Sequence, residues 1–136
     1  MDLIHIYQCL CDLTRARILH LLTQTPLCVC HFQEILREPQ VKVSKHLAYL
    51  RSRKMVTTDR EQNWIIYSLP TKQPTMLRKN LKCLQDCVRS EKVFAQDLQR
   101  LHRLKQTCCE PRRLFQPSNP PATCHGKAKR SLHLRS

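Results

Sequence analysis

One glycine in 136 residues, Gly126, close to the C-terminal end, constrains this chain more than any other feature. Left-handed backbone is free of strain only for glycine and tolerable for Asn or Asp, so wherever a turn in the body of the chain needs left-handed backbone it must use Asn, Asp or a strained residue. The apolar spacing gives a run of helices interrupted once by strand-like sequence. Ile4, Ile6, Tyr7 and Leu10 predict a short first helix. Asp12 is a good N-cap for a second, in which Ala16, Ile18, Leu19, Leu21 and Leu22 are densely apolar until Thr23 to Pro26 stop it. A third helix is expected to begin at Cys28, to carry Val29, Phe32, Ile35 and Leu36 inward, and to be ended by Pro39. Gln40, just before the next helix, leads into Val41, Val43, Leu47 and Leu50, with Lys42, Lys45, His46, Arg51 and Arg53 spread over the other faces. Two short helices joined by a tight turn, the second basic, make a helix-turn-helix.

Met55 to Arg60 and Trp64 to Leu69 are rich in Val, Thr, Ile, Tyr and Trp, with Glu61, Gln62 and Asn63 between them, which predicts a β-hairpin placed as a wing. Beyond Pro70 and Pro74, Leu77, Leu81, Leu84 and Val88 recur at helical spacing, and Phe94, Leu98, Leu101 and Leu104 do so again after a candidate cap at Ser90. The expected fold class is therefore mainly α with a small β-hairpin: a winged helix-turn-helix of five to six helices over residues 1–106. From Pro111 onward Pro, Ser, Arg, Lys and His dominate, a mixture that cannot offset its ordering entropy by burial. Residues 107–136 are expected to be a disordered basic tail.

Charge points to the partner. The chain carries 24 Lys and Arg against 10 Asp and Glu, a formal charge of +14, which suits a polyanion and makes nucleic acid the first partner to test. The excess grows along the chain, +3 over residues 1–70, +5 over 71–104 and +6 over 105–136. No segment approaches the roughly 18 consecutive apolar residues of a membrane helix, and the start Met1-Asp2 lacks the basic and apolar regions of a signal peptide. A cytoplasmic, membrane-free protein is expected. Its nine cysteines should then be reduced thiols, and clustered thiols in that setting read as metal or redox ligands. Cys28 and Cys30 fall in the first turn of the third helix, where free N–H groups and the helix dipole favour thiolate, the form that binds soft metals.

Four stretches carry a family resemblance. Cys11-Asp12-Leu13-Thr14-Arg15-Ala16-Arg17-Ile18-Leu19, Leu27-Cys28-Val29-Cys30-His31, Val43-Ser44-Lys45-His46-Leu47-Ala48-Tyr49-Leu50 and the wing from Arg60 to Tyr67 together resemble the ArsR/SmtB family of winged-helix metalloregulatory repressors, over about residues 4–90. The second stretch is similar to the family's thiol-sensing box and the third to its recognition helix. Three positions depart from the pattern. Lys54 stands where the family usually has the glycine that closes the recognition helix. Gln62 stands where it has a wing-turn glycine, with Asn63 beside it to supply positive φ, and Gln33 where the arsenite-sensing box carries a third cysteine.

The resemblance implies a homodimeric repressor, not an enzyme, that occupies double-stranded operator DNA and lets go when trivalent arsenic or antimony joins Cys28 and Cys30. No cofactor is obligatory; zinc or cadmium is the alternative inducer. Trivalent arsenic takes three sulfurs, whereas zinc, cadmium or lead usually take four ligands, so help is needed from elsewhere. The tail pair Cys108 and Cys109 ranks slightly ahead of Cys83 and Cys87, which lie four apart on one helix face; His31 suits zinc better than arsenic. Cys83 and Cys87 have core packing as an equal alternative, and Cys9 and Cys11 are better explained by packing. For DNA, Gln40, Lys42, Ser44, Lys45 and His46 offer reading and phosphate contacts, Arg51 a phosphate contact, and Arg60 and Asn63 contacts from the wing. Within the same fold, a zinc, cadmium or lead sensor and a thiol-redox sensor remain alternatives. A small thiol-redox enzyme is the alternative of another class, though neither C-x-x-C nor a glycine-rich cofactor loop is present.

Overall fold

Asp2 and Asp12 start the first two helices of the computed structural model, which describes residues 2–61 and 63–105. Each aspartate stands in extended backbone and its carboxylate accepts a first-turn N–H, from Ile4 and Arg15 respectively, satisfying donors that no carbonyl of the helix can reach. Helix α1 spans Leu3–Leu10 and α2 spans Leu13–Leu22. Helix α2 is buried along most of its length because α1, α3, α4, α5 and α6 all pack against it. Arg15 ties the corner together: its guanidinium donates to the carbonyls of Gln8 and Cys9 at the end of α1 and lies over the Tyr49 ring.

The sheet has one strand more than the hairpin expected. Strand β1 is only Leu27–Cys28, β2 is Thr57–Glu61 and β3 is Trp64–Ser68, in the order β1-β3-β2. All pairings are antiparallel, with Leu27 opposite Tyr67, Cys28 opposite Ile66, and Thr57 to Glu61 opposite Ser68 to Trp64. Two residues are too few to show a period, which is why β1 escapes the sequence. The wing turn includes Gln62, which lies outside the described residues.

Helix α3, Val29–Leu36, stops before Pro39. Its end is Arg37, a left-handed residue at φ 58° whose N–H bonds to the Gln33 carbonyl. Pro39 instead precedes α4, Gln40–Ser52, so that Gln40 is the first residue of that helix and not a residue ahead of it. Val43, Leu47 and Leu50 of α4 are fully buried, while Val41, expected among them, is 72% exposed. A second left-handed residue, Lys54 at φ 60°, closes α4. The Lys54 and Met55 N–H groups return to the carbonyls of Arg51 and Leu50, the Schellman arrangement that turns Met55 into the core beside Leu50. A side chain in this backbone region costs about 1–2 kcal/mol that glycine avoids. The chain thus meets its shortage of glycine with strain at Arg37 and Lys54.

Helix α5 is Thr75–Cys87 and α6 is Lys92–Lys105. Ser90 lies in the turn before α6, with Glu91 between, so it is not the cap expected. Helix α6 docks on α2 and α3 through an ion pair that no spacing rule reveals. Arg17 Nε and Nη2 each reach the Asp97 carboxylate at 2.8 Å, and Asp97 is 0% exposed. Arg17 Nη2 also donates to the Leu36 carbonyl at 3.4 Å and Arg100 Nη1 to that of Ile35 at 2.9 Å. The last carbonyls of α3 are therefore held by arginines from α2 and α6. Among the described residues no helix is long and apolar enough to cross a membrane.

Candidate metal centre and nucleic-acid interface

Cys28 sits where β1 ends and α3 begins, and Cys30 and His31 follow in the first helical turn. That junction brings three donors together. Cys28 Sγ is 2.9 Å from Cys30 Sγ and 3.2 Å from His31 Nδ1, and one ligand atom from each residue lies within 4.8 Å of the other two. It is the one such cluster of three among the described residues. Cys28 is 2% and His31 1% exposed, while Cys30 is half-buried. The His31 ring is anchored, because Nδ1 accepts the Cys28 N–H at 3.2 Å. Cys28 and Cys30 pack with Ile66 and Trp64 of the wing strand β3. Two sulfurs at a tetrahedral ion with bonds of about 2.3 Å lie about 3.8 Å apart, so the pair has to open by roughly 0.9 Å to share one.

The remaining described cysteines are not brought to this cluster. Cys9 is fully buried in the main core, and burial pushes its thiol above the ordinary value, which keeps it protonated and supports a packing role. Cys11 is exposed, so packing does not account for it, and its thiol donates to the Gln8 carbonyl. Cys83 and Cys87 are both exposed, which removes core packing as their role. Their sulfurs are 3.7 Å apart on α5, and the hydrogen bond with Cys83 raises the Cys87 thiol. Cys108, Cys109 and Cys124 lie outside the described residues.

Basic side chains cluster toward the start of α4. Lys45 is exposed, Lys42 is exposed but paired with Glu38 at 3.0 Å, and Gln40 is exposed at the first position. Ser44 is half-buried on the same helix. His46, expected to face the groove, is instead turned toward the start of α2, its Nε2 3.8 Å from Asp12 Oδ1. Arg60 and Asn63 are exposed on the wing. Arg51 is exposed at the opposite end of α4 from Lys42 and Lys45.

The sequence profile described as bacterial regulatory protein, arsR family, matches residues 12–58, from the cap of α2 to β2. The chain is 33% identical over 93 residues to the arsenical resistance operon repressor of Escherichia coli, an alignment that takes in 68% of this chain and 79% of that one. The chain belongs to the ArsR family. Its likeness to the arsenic resistance transcriptional regulator ArsR1 of Pseudomonas putida is 35% over 82 residues, 60% of this chain and 64% of that one. HlyU from Vibrio cholerae superposes with a TM-score of 0.56 at 25% identity, over 62% of this chain and 88% of that one. ArsR proteins are transcriptional regulators and not enzymes, which sets aside the thiol-redox enzyme.

Within the ArsR match two departures take on structural meaning. Gln33 is half-buried one turn into α3, so its position leaves the cluster with two sulfurs and an imidazole among the described residues. Lys54 adopts the left-handed backbone that the family's glycine adopts without strain. The one trace of β1 in the sequence is Leu27-Cys28-Val29 directly after Pro26, an apolar run with a breaker before it that is too short to fix a strand or its partner.

Proposed function

We propose that this ArsR protein is a homodimeric repressor that binds operator DNA through α4 and the wing and releases it when trivalent arsenic or antimony is held by Cys28 and Cys30. The observation that carries the reading is the cluster of Cys28, Cys30 and His31 at the joint of β1, α3 and the wing strand. The names of the relatives, which are arsenic resistance regulators, agree with it. A thiophilic ion supplies there a polarizable centre that thiolates hold more strongly than water does. Lys45, Gln40, Lys42 and Ser44 are proposed to contact bases and phosphates in the major groove, with Arg60 and Asn63 on the adjacent backbone. One recognition helix reads few bases, so a two-fold dimer is proposed. Ile4 and Tyr7 of α1 and Met76 of α5, large apolar residues left exposed on helices that pack together, supply its surface.

The third sulfur is proposed to come from Cys108 or Cys109. Helix α6 packs on α3 and ends at Lys105, and the three residues from there to Cys108 span at most about 10 Å. Cys83 and Cys87 rank second. The donor set itself favours a second reading, a zinc or cadmium sensor, because the third ligand present is an imidazole. Full-length protein is used to select its operator from a random duplex pool, and release is then followed by fluorescence anisotropy against arsenite, antimonite, zinc and cadmium. Cys28→Ser and Cys30→Ser should each bind DNA normally and fail to release it with arsenite. Unimpaired release in both variants overturns the site, and release by zinc or cadmium alone selects the second reading.

A further inference from the structure

A cleft lies at the C-terminal end of α4, away from the thiols and at the opposite end of the helix from Lys42 and Lys45, with Arg51 on its wall. Its volume is about 990 Å³, and it runs between the last turn of α4, the base of β2 and the loop that enters α5. That size is in the range of sites for small organic ligands. Arg51, Arg53, Lys54 and Lys72 line it, His5 of α1 joins them, and no carboxylate does. Among the described residues none of these four cations has an acidic partner within 4 Å. The Arg53 guanidinium is held in place, stacked 3.7 Å from the Tyr49 ring and donating to the Ser52 hydroxyl.

Lys54 is the decisive residue. Its backbone is left-handed, a conformation in which glycine would stand without strain, yet the position carries a long cationic side chain that opens onto this cleft. The turn that closes α4 fixes where Lys54 leaves the chain, and so places a further cation of the same sign on the cleft. We propose that the cleft binds a free phosphorylated small molecule, recognised through two or more linked phosphates by Arg51, Arg53, Lys54 and Lys72. Four cations around one cavity match a di- or triphosphate in charge, and the guanidinium forks match its oxygens in geometry. Arg51, the first residue of α4 to line the cleft, is roughly 13 Å along the helix from Lys42 and roughly 9 Å from Lys45, so a ligand here lies beyond the proposed reading residues. The proposal does not depend on which ion the thiols take.

The test is isothermal titration of the full-length protein with inorganic pyrophosphate at about 0.15 M salt, where screening removes most long-range attraction to the basic surface. Arg51→Gln and Lys54→Gly should each weaken binding about tenfold, the effect of losing one charge-assisted contact. Lys54→Gly should at the same time melt no lower than the parent, which separates loss of the ligand from loss of the fold. Lys45→Ala should bind pyrophosphate as the parent does, and saturation with a mixed-sequence DNA duplex should leave pyrophosphate binding intact. No binding by the parent, or equal affinity in the Arg51 and Lys54 variants, overturns the proposal. Displacement of pyrophosphate by the duplex also overturns it, since the cleft would then serve the DNA backbone.

Discussion

Truncating Asp97 should do more damage than any other single change to a polar side chain of α6. The Asp97 carboxylate is fully buried and takes two hydrogen bonds of 2.8 Å from Arg17, with Arg100 Nη1 3.7 Å away. In Asp97→Ala the Arg17 guanidinium, 7% exposed, keeps its charge with no carboxylate to meet it. Breaking a buried pair from one side costs about 3–5 kcal/mol, because the surviving ion cannot return to water without opening the core. For a folded body of this size that lowers Tm by roughly 15–30 °C, and it removes a large share of a total stability of about 5–15 kcal/mol. Arg17 and Arg100 also hold the Leu36 and Ile35 carbonyls, so the loss should reach the end of α3. The assay is thermal and urea unfolding followed by far-ultraviolet circular dichroism. The double variant Arg17→Met with Asp97→Leu is the control: with neither ion left to desolvate, it should recover most of the loss. A cost below about 1 kcal/mol for Asp97→Ala, or a double variant as unstable as the single, would refute the reasoning that this pair docks α6.

Other expectations are more local. Arg37→Gly should raise stability by about 0.5–1 kcal/mol, the left-handed strain relieved less the extra freedom of glycine in the unfolded chain, measured by urea unfolding; a loss of stability would mean the arginine side chain matters more than its backbone. Burial holds His20 below its ordinary value of 6.5, against the Asp97 charge, with Nδ1 lacking a hydrogen-bond partner. The unfolded chain therefore binds the extra proton first, so this contribution is present above pH 6.5 and is lost as pH falls below it. From neutral to acid pH, Tm should fall less steeply in His20→Leu than in the parent. Lys45→Ala should weaken operator binding about tenfold or more, whereas His46→Ala, whose imidazole is turned to Asp12, should weaken it less; equal losses in gel shifts would return His46 to the reading surface.

How much of this was legible in the sequence depends on the length of the signal. Helices with three or more turns announce themselves through Ile18, Leu19 and Leu22 or Val43, Leu47 and Leu50, and the Asp12 cap is readable because its chemistry is local. The Cys28 and Cys30 pair is legible for the same reason, since two residues of separation fix their proximity. What was missed is either too short or too far apart in sequence. Strand β1 has two residues, and its partner Ile66 lies 38 positions on. Arg17 and Asp97 are separated by 80 residues, so neither looks different from a solvated charge. Ending α3 at Pro39 failed for a third reason: Arg37 takes a backbone that the residue type argues against.

The two missed features are the ones that connect the thiols to the rest of the molecule. Cys28 is at once the last residue of β1, paired to Ile66 of the wing strand, and the residue that starts α3. If an ion held by both thiols parts the Cys28 and Cys30 sulfurs, the shift is passed on to the neighbouring elements, because Cys28 and Ile66 are both buried in the core. On one side the displacement falls on β3, which carries the wing. On the other it falls on α3, which packs directly against α4. The far end of α3 is held by Arg17 and Arg100, so the helix can tilt about that fixed end and move its first turn against α4. Both proposed DNA contacts thus hang from one cysteine, and thermodynamic linkage then requires DNA to weaken the thiol site by the same factor as the ion weakens DNA.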